Sequence, residues 1–268
     1  MAIEIDITIT GRGKAKKWWD DSLEFCDHDI YLELKEEKKN VGFTMHHIIP
    51  WSAHVVFWNY LVESSYFKRC ARIITALATV NPRYPVRLKD ADWRRIQELA
   101  KDLDEKDCVY RKDEPIANLN PKYTNTFGHV GKLYGYPPAG VFPGPVPECR
   151  VDDAKDSFEF DAQYLMDPGD FRRSQALYGT IALVGQWILH AKADPTQRPT
   201  EKQVDAVVDI IVDLISNNKT RCCKFSWSGW DWVDNTNPQA PAIFDKNKRS
   251  EWKGLGSNKR RYRLHVPS

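Results

Sequence analysis

The sequence predicts an α+β fold with more helix than strand. Three observations carry that expectation. Ile3, Ile5, Ile7 and Ile9 alternate with polar or small residues, the period of a half-buried strand. Two later segments place apolar residues at helical spacing, Trp93/Ile96/Leu99/Ala100/Leu103 and Val204/Val207/Val208/Ile211/Leu214/Ile215. Finally, 42% of the 268 residues are hydrophobic and 28% charged, which excludes disorder for most of the chain and excludes fibrous repeats. A chain of this length can bury roughly 70–75% of its unfolded surface and needs no metal or disulfide merely to fold.

The elements follow in order. The first strand stops at Gly11-Arg12-Gly13, and a second is expected over residues 29–35. Residues 41–49 read as a third strand, with Val41, Phe43, Met45 and His47 on one face. A long helix is expected from Ser52, a fair N-cap, to Val80, ended by Asn81-Pro82. Asp90 is placed to cap the Trp93–Leu103 helix. Residues 108–153 are rich in Pro, Gly and Asn without clean periodicity, and read as one long irregular stretch held by its aromatics. Phe171–Ala191 predicts a helix that is broadly apolar, hence buried, broken by Pro195 and Pro199. Thr200 and Gln203 form a capping-box pattern for the last helix, which ends at Asn217-Asn218. Phe225, Trp227, Trp230 and Trp232 predict short strands and loops, with the clustered Trp building a small core or interface in preference to stacking on bases. The expected organisation is N-terminal strands over 1–40, a core with a helical insertion over 41–216, and a Trp-rich, basic segment over 217–268, all in one body.

Several classes of function are excluded. No phosphate-binding Gly-rich loop and no Gly-x-Ser-x-Gly elbow occurs. The six Cys form no C-x-x-C pair and read as reduced thiols. The most apolar stretch, residues 176–189, falls short of the roughly 20 residues of a membrane span. The opening residues have neither a basic n-region nor an apolar h-region, so no secretory signal peptide is expected. Net charge is +2, but residues 246–263 hold eight Lys/Arg against the single Glu251, leaving the rest net negative. Such a segment suits a polyanion, with Lys259, Arg260 and Arg261 as candidate phosphate contacts, or serves equally as a solubilising tail.

The chemistry concentrates in Gly42-Phe43-Thr44-Met45-His46-His47-Ile48-Ile49-Pro50. Adjacent residues of a strand face opposite ways, so one imidazole is expected buried and the other exposed, unless a turn at the pair lets both serve one site. His-His-Ile-Ile-Pro resembles the first motif of HNH-type (ββα-metal) nucleases, above all those of bacterial polymorphic and type VI secretion toxins. Downstream, residues 136–145 followed by Arg150-Val151-Asp152-Asp153 and Phe158 resemble a second block of the same family. The likeness covers residues 41–60 and 134–160. It implies a small β-hairpin bearing the site, with His46 as a ligand of a divalent ion (Mg, Mn, Zn or Ni), His47 as general base, and Asp152 or Asp153 as the carboxylate ligand. His54 and His129 are the alternative third ligands, although His54 by itself reads as a first-turn surface residue. Arg150 would clamp a phosphate or pair with the two Asp. Where the family places its eponymous Asn, this chain has Ala139-Gly140, and Asn118, Asn120 or Asn125 would have to replace it.

The implied function is a metal-dependent endonuclease, an antibacterial toxin or effector acting on DNA in preference to RNA. Its partners would be an immunity protein and a component of a secretion apparatus, and it would be cytoplasmic in the producing cell and reach its target without a signal peptide. The alternatives are a non-catalytic binding or adaptor module on the same scaffold and another His–metal phosphoesterase.

Overall fold

A computed structural model describes residues 1–9, 43–79, 88–135, 141–145, 158–164, 168–194, 196, 198–216, 230–233, 241–242 and 261–264. Six α-helices dominate these residues: α1 (Trp51–Glu63), α2 (Phe67–Thr79), α3 (Asp90–Glu105), α4 (Tyr123–Gly135), α5 (Pro168–Ala193) and α6 (Glu201–Ser216). The strands are short and fall into three small sheets. β1 (Ile3–Asp6) pairs in parallel with β3 (Cys108–Pro115), and β2 (Phe43–His47) pairs antiparallel with β4 (Val141–Pro145). β5 (Trp230–Val233) lies between β6 (Pro241–Ala242) and β7 (Arg261–Leu264).

Helix α2 is central, packing against α1, α3, α4 and α6, while α5 packs on α1 and α6. The buried residues of α2 include the stripe Cys70, Ile73, Ile74 and Leu77 and, on either side of it, Ala71, Ala76 and Ala78, a width suited to the middle of a bundle. The two stripes read from the sequence on α3 and α6 are buried residue for residue. Arg69 of α2 reaches across to α6 and donates to both carboxylate oxygens of Asp205, at 2.8 and 3.0 Å, and to Glu201 at 3.1 Å. The capping box forms with both halves: the Thr200 amide donates to Gln203 Oε1 at 2.8 Å, and the Gln203 amide to Thr200 Oγ1 at 3.4 Å.

Residues 3–9 belong to this helical body. Ile5 and Ile7 are fully buried. The indole N–H of Trp58 donates to the Ile7 carbonyl at 2.8 Å, and the Asn59 amide brackets Ile9, accepting from its N–H and donating to its carbonyl. The β1–β3 register slips between Ile5 and Asp6. Asp113, in the left-handed region at φ 66°, absorbs the slip and donates its amide to Asp6.

Four expectations need correction. The helix expected over residues 52–80 is two helices. The break is a Schellman motif: the Tyr66 amide donates to the Leu61 carbonyl and the Ser65 amide to Val62, with Ser65 at φ 57° where glycine is usual. Neither Ser52 nor Asp90 is an N-cap. Pro50 and Lys89 hold those positions without a side-chain cap bond, and Asp90 lies in the first turn, where it complements the helix dipole. The stretch 108–153 is not irregular throughout, because it contains β3, α4 and β4. Finally, the described side chains of α5 are buried along one stripe (Phe171, Ser174, Leu177, Ile181, Val184), and Leu183 is exposed. The strand expected over 29–35 lies outside the described residues.

Candidate active site

The two segments that the sequence singles out meet in the β2–β4 pair. His46 lies opposite Phe142, and His47 opposite Val141. After His47 the chain bends through Ile48 and Ile49, both buried, and Pro50 delivers it into α1. The bend alters the simple in–out alternation: His46 is buried and His47 is half-buried, so neither is a surface imidazole.

His47 is held from a distant part of the chain. Its Nε2 lies 2.5 Å from the carbonyl oxygen of Gly135, the last residue of α4. A carbonyl only accepts, so Nε2 is the nitrogen that carries a proton in this contact. Carbonyls in the last turn of a helix lack intrahelical donors and sit at the negative end of its dipole, which orients and favours an imidazole N–H there. The Trp51 indole packs beside the ring, with centroids 6.0 Å apart.

His54, one turn into α1, overturns its expected place as a first-turn surface residue, since it is 2% exposed. Neither ring nitrogen has a hydrogen-bond partner among the described residues. The Tyr134 ring stands edge-on to it at 5.6 Å, and the Tyr134 hydroxyl donates to the His54 backbone carbonyl at 3.1 Å. Burial, aided by the nearby charge of His47, pushes its pKa down to about 3. It is therefore a neutral imidazole in an apolar pocket. His129 on α4 is half-buried, and its Nδ1 also lacks a partner among the described residues.

Sequence reasoning missed Glu159. Its side chain is buried, and its amide donates to the Ile48 carbonyl at 3.0 Å, which ties the segment after β4 to the residue following His47. The neighbouring Phe158 anchors that segment on α5, stacking on Tyr178 at 5.2 Å and against Phe171 at 5.7 Å. Its two Phe neighbours give no signal, because Phe158 is buried while Phe160 is 56% exposed.

Of the other expected residues, Arg150, Asp152, Asp153, Lys259 and Arg260 lie outside the described residues. Arg261 opens β7, opposite Val233. Trp230 and Trp232 lie in β5, opposite Leu264 and Tyr262, while Phe225 and Trp227 are outside the described residues. Asn118 and Asn120 do not tie the strands together. Asn118 donates to Glu114, and Asn120 accepts from the Lys122 amide, both local bonds, while Asn125 is exposed on α4.

His46 and Glu159 are both buried, and the Glu159 amide is bonded to Ile48, two residues beyond His46; an imidazole and a carboxylate are donor types that Mg, Mn, Zn or Ni take. Among the described residues, no group of three or more His, Cys, Asp or Glu stands ready to hold a metal. No helix among them is long and apolar enough to cross a membrane. Comparison of the chain with protein-family models, with curated proteins and with solved structures finds no match to any of them.

Proposed function

We propose that this chain is a metal-dependent, HNH-like endonuclease, with His47 as general base and His46 as a metal ligand. One observation carries the reading. The paired strands β2 and β4 present His47 with its Nε2–H given to the Gly135 carbonyl, so the ring is held in one orientation from behind. An oriented imidazole backed by an acceptor is the arrangement a general base needs.

His46, with a carboxylate from Asp152, Asp153 or the buried Glu159, would hold the divalent ion. When bound, such an ion neutralises charge on the phosphate and the leaving oxygen. The chain's own residues do the rest. His47 takes the water proton, the Gly135 carbonyl holds the resulting imidazolium, and strand β2 carries both imidazoles on adjacent residues. Arg150 and the Lys259–Arg261 run would contact phosphates. The substrate is DNA in preference to RNA. The setting is a toxin or effector, made in the cytoplasm of its producer, with an immunity protein and a secretion-apparatus component as partners.

A binding or adaptor module without catalysis is the second reading. It is favoured by the local use of Asn118 and Asn120, which leaves neither to brace the strands.

Supercoiled-plasmid cleavage with and without a chelator separates the two. Chelator-sensitive nicking is expected. His47→Ala should slow it by roughly 10²–10⁴-fold with metal content unchanged, whereas His46→Ala should lower metal content. Binding without cleavage under every metal would establish the adaptor reading. Turnover of a small phosphodiester alone would point to a different phosphoesterase.

A further inference from the structure

We propose that Gly135 and Trp51 act together as a spacing gauge that sets the position and tautomer of the His47 ring. Its catalytic consequence rests on the reading of His47 as the base. Gly135 does not use glycine's freedom at positive φ, since no described glycine lies there. Space is the reason for it. A Cβ at this position would stand 2.7 Å from Trp51 Cζ3 and 3.0 Å from Cη2, closer than side chains pack. The indole cannot easily yield, because it is rigid, 7% exposed, and has the His47 ring as a near neighbour at 6.0 Å between centroids.

The end of α4 cannot drift either. Tyr134, next to Gly135, is bonded to the His54 carbonyl in the first turn of α1 and packs its ring 4.9 Å from that of Trp58. Any side chain at residue 135 must therefore push the carbonyl away from His47 Nε2 or drive the indole into the imidazole. Either displaces the ring, and misplacement by about 1 Å is worth roughly 10²-fold in rate. Gly128 and Gly131 on the same helix would meet nothing within 4 Å. They make internal controls, because alanine there should only firm the helix.

The test compares Gly135→Ala, Gly131→Ala and the double variant Gly135→Ala/Trp51→Leu. It reads kcat and KM on a duplex substrate with Mn²⁺, and ¹⁵N histidine spectra of the full chain. Gly135→Ala should lose ~10²-fold in kcat with KM little changed, and the His47 signal should leave the Nε2–H tautomer. Removing the indole in the double variant should restore at least part of the rate and the tautomer, and Gly131→Ala should match the parent. Unchanged kcat in a folded Gly135→Ala variant, or no recovery in the double variant, would overturn the gauge. If Gly135→Ala does not fold, the parent's own spectrum decides: Nε2–H supports the gauge, and Nδ1–H removes it. An Nε2–H tautomer in a protein that cuts no nucleic acid would uphold the gauge and sink the nuclease reading alone.

Discussion

Tyr134 gives its hydroxyl to the backbone carbonyl of His54 while turning the edge of its ring toward the His54 imidazole. The phenol thus satisfies the backbone and leaves the side chain dry. A dry imidazole must stay neutral, and the pKa of about 3 expresses that demand.

A pH dependence follows. The folded chain binds fewer protons at His54 than the unfolded chain between about 3 and the ordinary 6.5. Stability contributed by the neutral ring is fully present above 6.5 and declines as pH falls through that window, by up to ~1.4 kcal/mol per pH unit. Urea midpoints at pH 7 and pH 5 should show the parent losing up to ~2 kcal/mol more than His54→Phe, which keeps a ring and drops the titrating nitrogens. Equal losses in the two proteins would place the acid sensitivity elsewhere.

The grip of Arg69 on Asp205 lends itself to a second measurement. The guanidinium holds the Asp205 carboxyl below the usual carboxylate range. This contribution is present above the unfolded carboxylate pKa of about 4 and disappears as acid titrates the group. Asp205 is well exposed, so solvent screens the pair, and Arg69→Met should cost only ~1 kcal/mol at pH 7. Thermal melts at pH 7 and pH 3 should show that cost shrinking in acid. A cost that grows in acid would refute the assignment.

The N-terminal strand offers a third. Asn59→Ala removes both bonds to Ile9, and Trp58→Phe leaves the buried Ile7 carbonyl without its donor. Each should cost ~1–3 kcal/mol. Hydrogen exchange should show residues 3–9 losing protection in both variants. Protection kept throughout 3–9 would mean that the β1–β3 ladder holds the strand unaided.

The basic segment 246–263 provides the fourth. If its excess charge meets phosphate, deleting it should weaken DNA binding. The plot of log affinity against log salt should flatten by about 0.9 for each phosphate that the shortened chain no longer neutralises. An unchanged slope would leave the segment as a solubilising tail.

Which parts of the molecule are readable from sequence follows from where the information lies. The stripes on α3 and α6 are legible because spacing alone places Trp93, Ile96 and Leu99, or Val204, Val207 and Ile211, on one face. The break at Ser65 is not, because that left-handed position usually announces itself with Gly, and here a Ser occupies it. Helix α4 is hidden by Asn125, Gly128 and Gly131, weak helix formers that tertiary packing overrides. At the site, the two imidazoles and the β4 block are visible as motifs. The acceptor for His47 lies 88 residues away in Gly135, and no local pattern points from one to the other. Glu159 goes unseen because a lone Glu is ordinarily a surface residue, and only its burial and backbone tie to Ile48 show otherwise.

The pairing of His47 with Val141 also bears on when a nuclease of this design would become dangerous to the cell that makes it. Residues 48–140 separate the partners, and four helices fill the interval. Closing so large a loop costs entropy that is recovered only once those helices have packed. A ribosome-bound chain that has displayed both histidines still lacks β4, and the imidazole lacks its carbonyl until α4 has docked on α1. If the proposed activity holds, competence would be withheld from every chain that has not yet reached β4, and chain order itself would serve as a safety catch during synthesis.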